Sequence, residues 1–448
     1  MLRKIGINLS FVVLICVLFA ALGLRSIQLS EFRNIELDER AWILSGTSLL
    51  QTGLPRSWTA FWELYPMDSY TTVELGGKSD TVVQPYLDHP PLFSIMVGGW
   101  SILTGNATAG AFNWTVLRFP MIVISVLTIL FTGLFVDQVF GRRHAWLTII
   151  SYSVLPVAVV SARIIAAEHV MAMLMMLGLA LLARYVYHPG DHRKILLSLS
   201  LISFLAPLLK LSGIALPIIF ALILGSNHMY KKSVLLLGAG ALGLLTYLAY
   251  GCLYDCQLFF SLLSNHSSRP QTFWYFFTLF ELPDIGYYKL HDAFAIVGVI
   301  ASIFMAIATQ KRKEWVIAPW LLLSLLFVSI APIELYGWYK FLSIPLIAVG
   351  LGYAWDQLLK REVGWAMLII PALLVMIENT FGNFAIVNDW RKLLIMITFA
   401  PLFFFFIFSS LQKTGWYLWW VRLLFVLSVV VQAVWTVSIL SGFSILPL

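Results

Sequence analysis

The sequence predicts an all-α polytopic integral membrane protein, and three observations carry that reading. Apolar runs of about 17 to 25 residues recur to the C-terminus, the length a helix needs to cross roughly 30 Å of hydrocarbon. Of the 448 residues, 60% are hydrophobic and only 11% charged. Basic clusters also fall in alternate connections: Arg142-Arg143, Arg193-Lys194, Lys231-Lys232, Lys311-Arg312-Lys313, Lys360-Arg361 and Lys413 share one side if the N-terminus is cytoplasmic, as the positive-inside bias asks. The net charge of +7 therefore reports topology and not a nucleic-acid partner, because the basic residues are scattered between apolar runs.

Taken in order, residues 5–25 form a membrane anchor: no small-residue cleavage site follows, and the run is long enough to span. Further spans are expected near 114–138, 146–162, 168–186, 196–209, 211–226, 233–251, 292–309, 315–331, 339–358, 363–380, 392–411 and 416–440, about thirteen in all. The apolar run 195–225 would be ~46 Å long as one helix, too long for one crossing. Lys210, Ser212 and Gly213 interrupt its middle, so two short helices should meet near the outer face with Lys210 at the break. The segment 91–104, PLFSIMVGGWSILT, is short and Gly-rich. It suits an amphipathic helix in the outer interface, anchored by Trp100.

That leaves an external loop over 26–113 holding nine of the 22 acidic residues, and a second, aromatic-rich external loop over 252–291. The three cysteines, Cys16, Cys252 and Cys256, make neither a disulfide framework nor a metal site. Cys252 and Cys256 are four apart, and two separate thiols are the expected state.

Charges that hydropathy would forbid gather on the outer side. Asp38, Glu39, Arg40, Asp88 and His89 lie in the first loop, and Arg118 at the outer end of the second span. Arg163 and Glu168 flank the turn between the third and fourth spans, Lys210 marks the broken run, and Glu334 and Lys340 bracket ELYGWYK. A charge at membrane depth costs at least a few kcal/mol, so these groups should converge on a polar pocket. No G-x-G-x-x-G follows a strand and no P-loop is present, which excludes a nucleotide-sugar site of the usual kinds. A donor used there must arrive in the membrane, and a polyprenyl phosphate carrying one sugar fits. Transfer to an acceptor hydroxyl needs a carboxylate base on the acceptor side and cations on the departing phosphate. The base must face the anomeric carbon from the side opposite the phosphate, which predicts inversion. The alternative is a secondary transporter or lipid-carrier flippase, whose embedded charges would line a path. The absence of visible inverted halves and the one-sided clustering weigh against it.

The blocks LDERAW, DHPPLFSIMVGGWSILTG, WTVLRFP, SARIIAAEHVMAM and LAPLLKLSGIALP, in that order, resemble the protein O-mannosyltransferase and lipid A aminoarabinose transferase superfamily of GT-C glycosyltransferases. Beyond residue 225 the likeness is weak except for GWYKFLSIPLIAVGLG, similar to the family's late aromatic-basic-Leu-Pro span. The resemblance implies a GT-C fold in which residues 1–226 form the conserved type of module and 227–448 a variable one. It implies interfacial helices near 39–52 and 90–104, a polyprenyl-phosphate donor, and an acidic pair whose leading Asp, here Asp38, is at the catalytic centre. Two positions depart from pattern. Glu168 stands where the family usually carries Asp, and His89 follows the mannosyltransferases where aminoarabinose transferases have Lys.

The expected site therefore comprises Asp38, Glu39 and Glu168 as acids, with His89, Arg118, Arg163, Lys210, Tyr339 and Lys340 on the donor phosphate. Each has a plainer reading. Asp38 and Asp88 are good helix N-caps, Arg163 and Glu168 could pair with each other, Lys210 could snorkel, and Tyr339-Lys340 could belong to an aromatic belt. No metal or cofactor is demanded, although Asp38, Glu39 and Glu168 could hold a divalent ion through oxygen. The expected partners are the lipid-linked donor, membrane lipids and an acceptor lipid, glycan or protein. The expected location is the plasma (inner) membrane, with the site on its outer face.

Overall fold

The computed structural model describes residues 9–29, 37–75, 78–106, 112–188, 190, 192–268, 292–310, 312–330, 337–381, 398, 400–401, 404–405 and 407–441. Helix α1 (Leu9–Ser26) leads to α2 (Leu37–Thr52), a hairpin of β1 (Tyr70–Leu75) and β2 (Lys78–Val83), and α3 (Pro91–Leu103). There follow α4 (Trp114–Phe140), α5 (Arg142–Val154), α6 (Pro156–Ser161), α7 (Ala167–Tyr187), α8 (Arg193–Leu209), α9 (Ala215–Ser226) and α10 (Tyr230–Ser268). The C-terminal part holds α11 (Ala293–Ala308), α12 (Glu314–Ile330), α13 (Ile344–Leu359), α14 (Ala366–Phe381) and α15 (Gly415–Leu440). Helix α4 packs between α5 and α7, and α13 packs against α5 and α11. Among the described residues α4, α7, most of α10, Lys340–Leu359 and α15 are long and apolar enough to cross a membrane. The chain is an integral membrane protein.

Both helices expected in the first loop form, and they cross at two glycines. A Cβ on Gly46 would lie 1.7 Å from the Ser94 carbonyl oxygen, and one on Gly98 2.3 Å from the Gly46 carbonyl carbon. Because backbone meets backbone, Gly98→Val is expected to push α3 off α2 and cost about 1–3 kcal/mol or more. A lower apparent Tm of the purified protein would report it.

Helix α3 is tied to α4 by a consequence of proline. Pro120 has no N–H, so the carbonyl of Val116, four residues earlier, loses its helical donor. The Trp100 indole Nε1 donates to that carbonyl at 2.8 Å. Trp100→Phe is expected to remove the donor from a half-buried acceptor and lower stability by about 1 kcal/mol, measurable as a fall in melting temperature. Arg25, fully buried at the end of α1, binds the far end of α5 in a similar way. Its guanidinium donates to the Ser153 and Tyr152 carbonyls at 2.8 and 3.2 Å and to Ser125 Oγ at 3.0 Å. A cation suits the exposed carbonyls of a helix C-terminus.

The broken run behaves as the charge pattern predicts: α8 ends at Leu209, Lys210 is extended (φ −159°, ψ 147°), a 3-10 turn covers Leu211–Ile214, and α9 begins at Ala215. Elsewhere the structure departs from expectation. The third span, expected over 146–162, is two helices broken at Leu155, because the residue before a proline is disfavoured in helical conformation. The expected loop 252–291 is helical to Ser268; Asp255 leaves helical geometry (φ −159°, ψ 103°), and its Oδ1 accepts from the Leu258 N–H at 2.9 Å, capping a second helical segment. Cys252 and Cys256, expected as separate thiols, are joined in a disulfide across this break. The first loop also carries an antiparallel hairpin, which the helical reading missed. Half of the expected span 392–411 lies outside the described residues.

Candidate active site

Four segments meet around the turn 162–166, and the first turn of α2 anchors them. Glu39 and Arg118 are both 0% exposed. The guanidinium donates in a fork, Nε to Oε1 at 2.9 Å and NH2 to Oε2 at 2.6 Å, and the Ile165 N–H donates to the same Oε1 at 2.9 Å. One carboxylate thus ties α2 to α4 and to the turn. Arg163, on that turn, donates to the Gln28 carbonyl at 2.5 Å.

The next residues along, at the start of α7, collect the other cations. Glu168 pairs with Lys210 from the α8–α9 break, both side chains nearly buried. The His169 Nε2–H donates to the Ser161 carbonyl at 2.8 Å, and the ring stacks on Phe341 at 4.6 Å. That stacking docks the 3-10 turn Gly337–Ser343 against α7 and brings in the buried Lys340.

From the first loop, Asp88 accepts hydrogen bonds from Thr59 at 2.6 Å and from the Tyr65 hydroxyl at 2.7 Å. Asp88 is therefore not the cap of α3, whose N-cap is Pro90. Next to it, His89 stacks on Trp42 at 4.5 Å. Asp38 is half-buried on α2's first turn, and its charge reaches this group: burial first, then the Asp88 and Asp38 charges, push the Tyr86 phenol well above its usual value. The Tyr86 ring lies 6.3 Å from that of His89. A cavity opens here, bordered by Asp88, His89, Lys210, Ser212, Tyr247 and His266.

The phenol of Tyr65 is likewise raised, by burial and then by the Asp88 carboxylate. A phenol whose folded pKa exceeds its unfolded value near 10 supplies stability that is intact below pH 10 and lost as pH climbs toward the folded value. Tyr65→Phe is expected to flatten the alkaline fall of melting temperature; an unchanged profile would contradict it.

Of the sequence-predicted residues, His89 and Lys210 border one cavity, with Glu168 on Lys210; Asp38 lies on the first turn of α2 and is not among the residues that line it. Arg163 and Glu168 contact Gln28 and Lys210 respectively. Arg118, expected on the donor phosphate, forms a buried, forked ion pair with Glu39, expected as an acid of the reaction. The side chain of Tyr339 and all of Glu334 lie outside the described residues. Among the described residues no group of three or more His, Cys, Asp or Glu could hold a metal ion. Asp88 was among the charges expected to converge on a pocket but was given no part in the site, and Tyr65, Tyr247 and His266, which contact it or border the same cavity, were not singled out.

The chain is a helical membrane protein whose first long loop carries two crossed helices and whose acids and cations meet at a helix break, and its fold is similar to that of solved GT-C proteins. Residues 88–250 match the family described as dolichyl-phosphate-mannose-protein mannosyltransferase. The structure is similar to ArnT from Cupriavidus metallidurans bound to undecaprenyl phosphate, at a TM-score of 0.60 and 15% identity over 97% of this chain and 78% of that one. The apo form of the same protein gives 0.60 at 17% identity, with the same coverage. The arabinosyltransferase EmbB from Mycobacterium smegmatis gives 0.56 at 11% identity over 96% of this chain and 40% of that one. No curated protein sequence matches the chain.

Proposed function

We propose that the protein is an inverting glycosyltransferase that moves one monosaccharide from a polyprenyl phosphate to an acceptor hydroxyl at the outer face of the plasma membrane, its N-terminus cytoplasmic. The observation that carries this reading is the cavity where Lys210, joined to Glu168, meets His89 and Asp88. Asp38 takes the proton of the acceptor hydroxyl as its oxygen bonds to the anomeric carbon. The bond from that carbon to the phosphate oxygen breaks, and its electron pair leaves with the phosphate. Negative charge grows on the phosphate as it departs, where Lys210 and His89 neutralise it. Glu39 and Arg118 position the acid and the turn without touching substrate.

The test is thermal unfolding of the full chain with undecaprenyl phosphate. A ligand bound only by the folded form raises the apparent Tm by mass action. A rise that grows with concentration in wild type and shrinks in Lys210→Met supports the reading. No rise at any concentration would remove it.

A further inference from the structure

Residues 252–268 lie beyond the family match at 88–250, yet they build one wall of the cavity. Asp255 breaks α10 and caps the segment after it. The Tyr254 hydroxyl donates to the carbonyl of Gly53 at 2.8 Å, fixing the break to the end of α2. Beyond the break, Phe259 packs edge-on against Tyr247 with ring centroids 5.1 Å apart, in space left by Gly251, where a Cβ would fall 2.3 Å from the Phe259 ring. These contacts turn one face of the outer segment to the cavity and place His266 at its rim.

There His266 continues a row of flat rings. Its imidazole meets Phe61 edge-on at 4.5 Å and lies 5.9 Å from the His89 ring, which is stacked on Trp42. Next to the row stands Asp88, its carboxylate oriented by Thr59 and Tyr65. A row of ring faces and edges, imidazole nitrogens that donate or accept, and a fixed carboxylate are together what a hydroxylated ring requires: apolar C–H faces to cover and hydroxyls to hydrogen-bond in fixed directions. Lys210, across the same cavity, supplies charge in place of such directional contacts.

We propose that His266 is a sugar-binding residue of this cavity, contacting the hydroxyls of a monosaccharide ring beside His89 and Asp88 and setting which sugar the site accepts. The proposal rests on the glycosyltransferase reading above, and the sugar could belong to donor or acceptor.

The experiment is thermal unfolding of the full chain, wild type against His266→Ala and His266→Gln, with three probe sets. These are undecaprenyl phosphate, undecaprenyl-phosphate mannose, glucose or arabinose in turn, and methyl glycosides of the same sugars standing for an acceptor glycan. Wild type should respond more to one sugar-bearing lipid, or to one methyl glycoside, than to its counterparts. His266→Ala should lose that increment, a tenfold or greater weakening of apparent Kd, with the response to undecaprenyl phosphate unchanged. His266→Gln, which keeps a donor and an acceptor, should retain part of it. Loss confined to the lipid-linked sugars assigns the contact to the donor, and loss confined to the methyl glycosides assigns it to the acceptor. An increment that survives His266→Ala, or no increment in wild type with any sugar, overturns the proposal. Absence of any response to undecaprenyl phosphate in wild type defeats the glycosyltransferase reading instead.

Discussion

Asp38→Asn is expected to reduce sugar transfer about 10²–10⁴-fold, the usual loss when a positioned general base is removed, while the apparent Tm stays close to wild type. The two halves of that expectation have separate causes. Asn matches Asp in shape and keeps a side-chain oxygen, so any capping of α2 largely survives. It cannot accept a proton from an attacking hydroxyl, so chemistry stops. Transfer assayed with a lipid-linked sugar, in variants matched for expression and melting temperature, decides the matter. Turnover near the wild-type rate would mean that another group takes the proton.

What could be read in the sequence depended on whether the signal was local. A charge inside an apolar run has few explanations, so Lys210 announced the break between α8 and α9 directly. The Pro-Pro pair at residues 90–91 likewise marked where α3 starts. Partners far apart in sequence gave no such signal. Glu39 meets Arg118 across 79 residues and Ile165 across 126, and neither partner can be chosen without knowing which helices pack. The same limit hid Trp100, whose indole answers a carbonyl freed by a proline in another helix. In α10 the local signal misled: the aromatic-rich stretch from residue 252 on read as a loop, whereas Asp255 is the cap that lets a second helical segment begin. That misreading also concealed the cavity wall that ends at His266.

The second large effect is on the fold. Glu39→Ala is expected to cost about 3–5 kcal/mol, because it leaves the Arg118 guanidinium buried without its forked acceptor. The Ile165 N–H loses its acceptor at the same time, which adds about 1–3 kcal/mol if it stays buried. The pair itself is a weak source of net stability, since both ions have been taken from water. The combination Glu39→Leu with Arg118→Met should therefore recover most of what either single change loses, with a remainder owed to Ile165. Apparent melting temperatures of the four proteins form the double-mutant cycle that measures this coupling. Two single losses that simply add in the double variant would show that the residues act independently. Activity should follow a different order. The turn carrying Arg163 and leading to Glu168 is held to α2 by the Glu39–Ile165 contact, and the double variant restores an apolar fit without restoring that contact. Recovered melting with unrecovered transfer would mark Glu39 as a positioning residue, whose work is to hold the turn and the neighbouring Asp38 in one geometry.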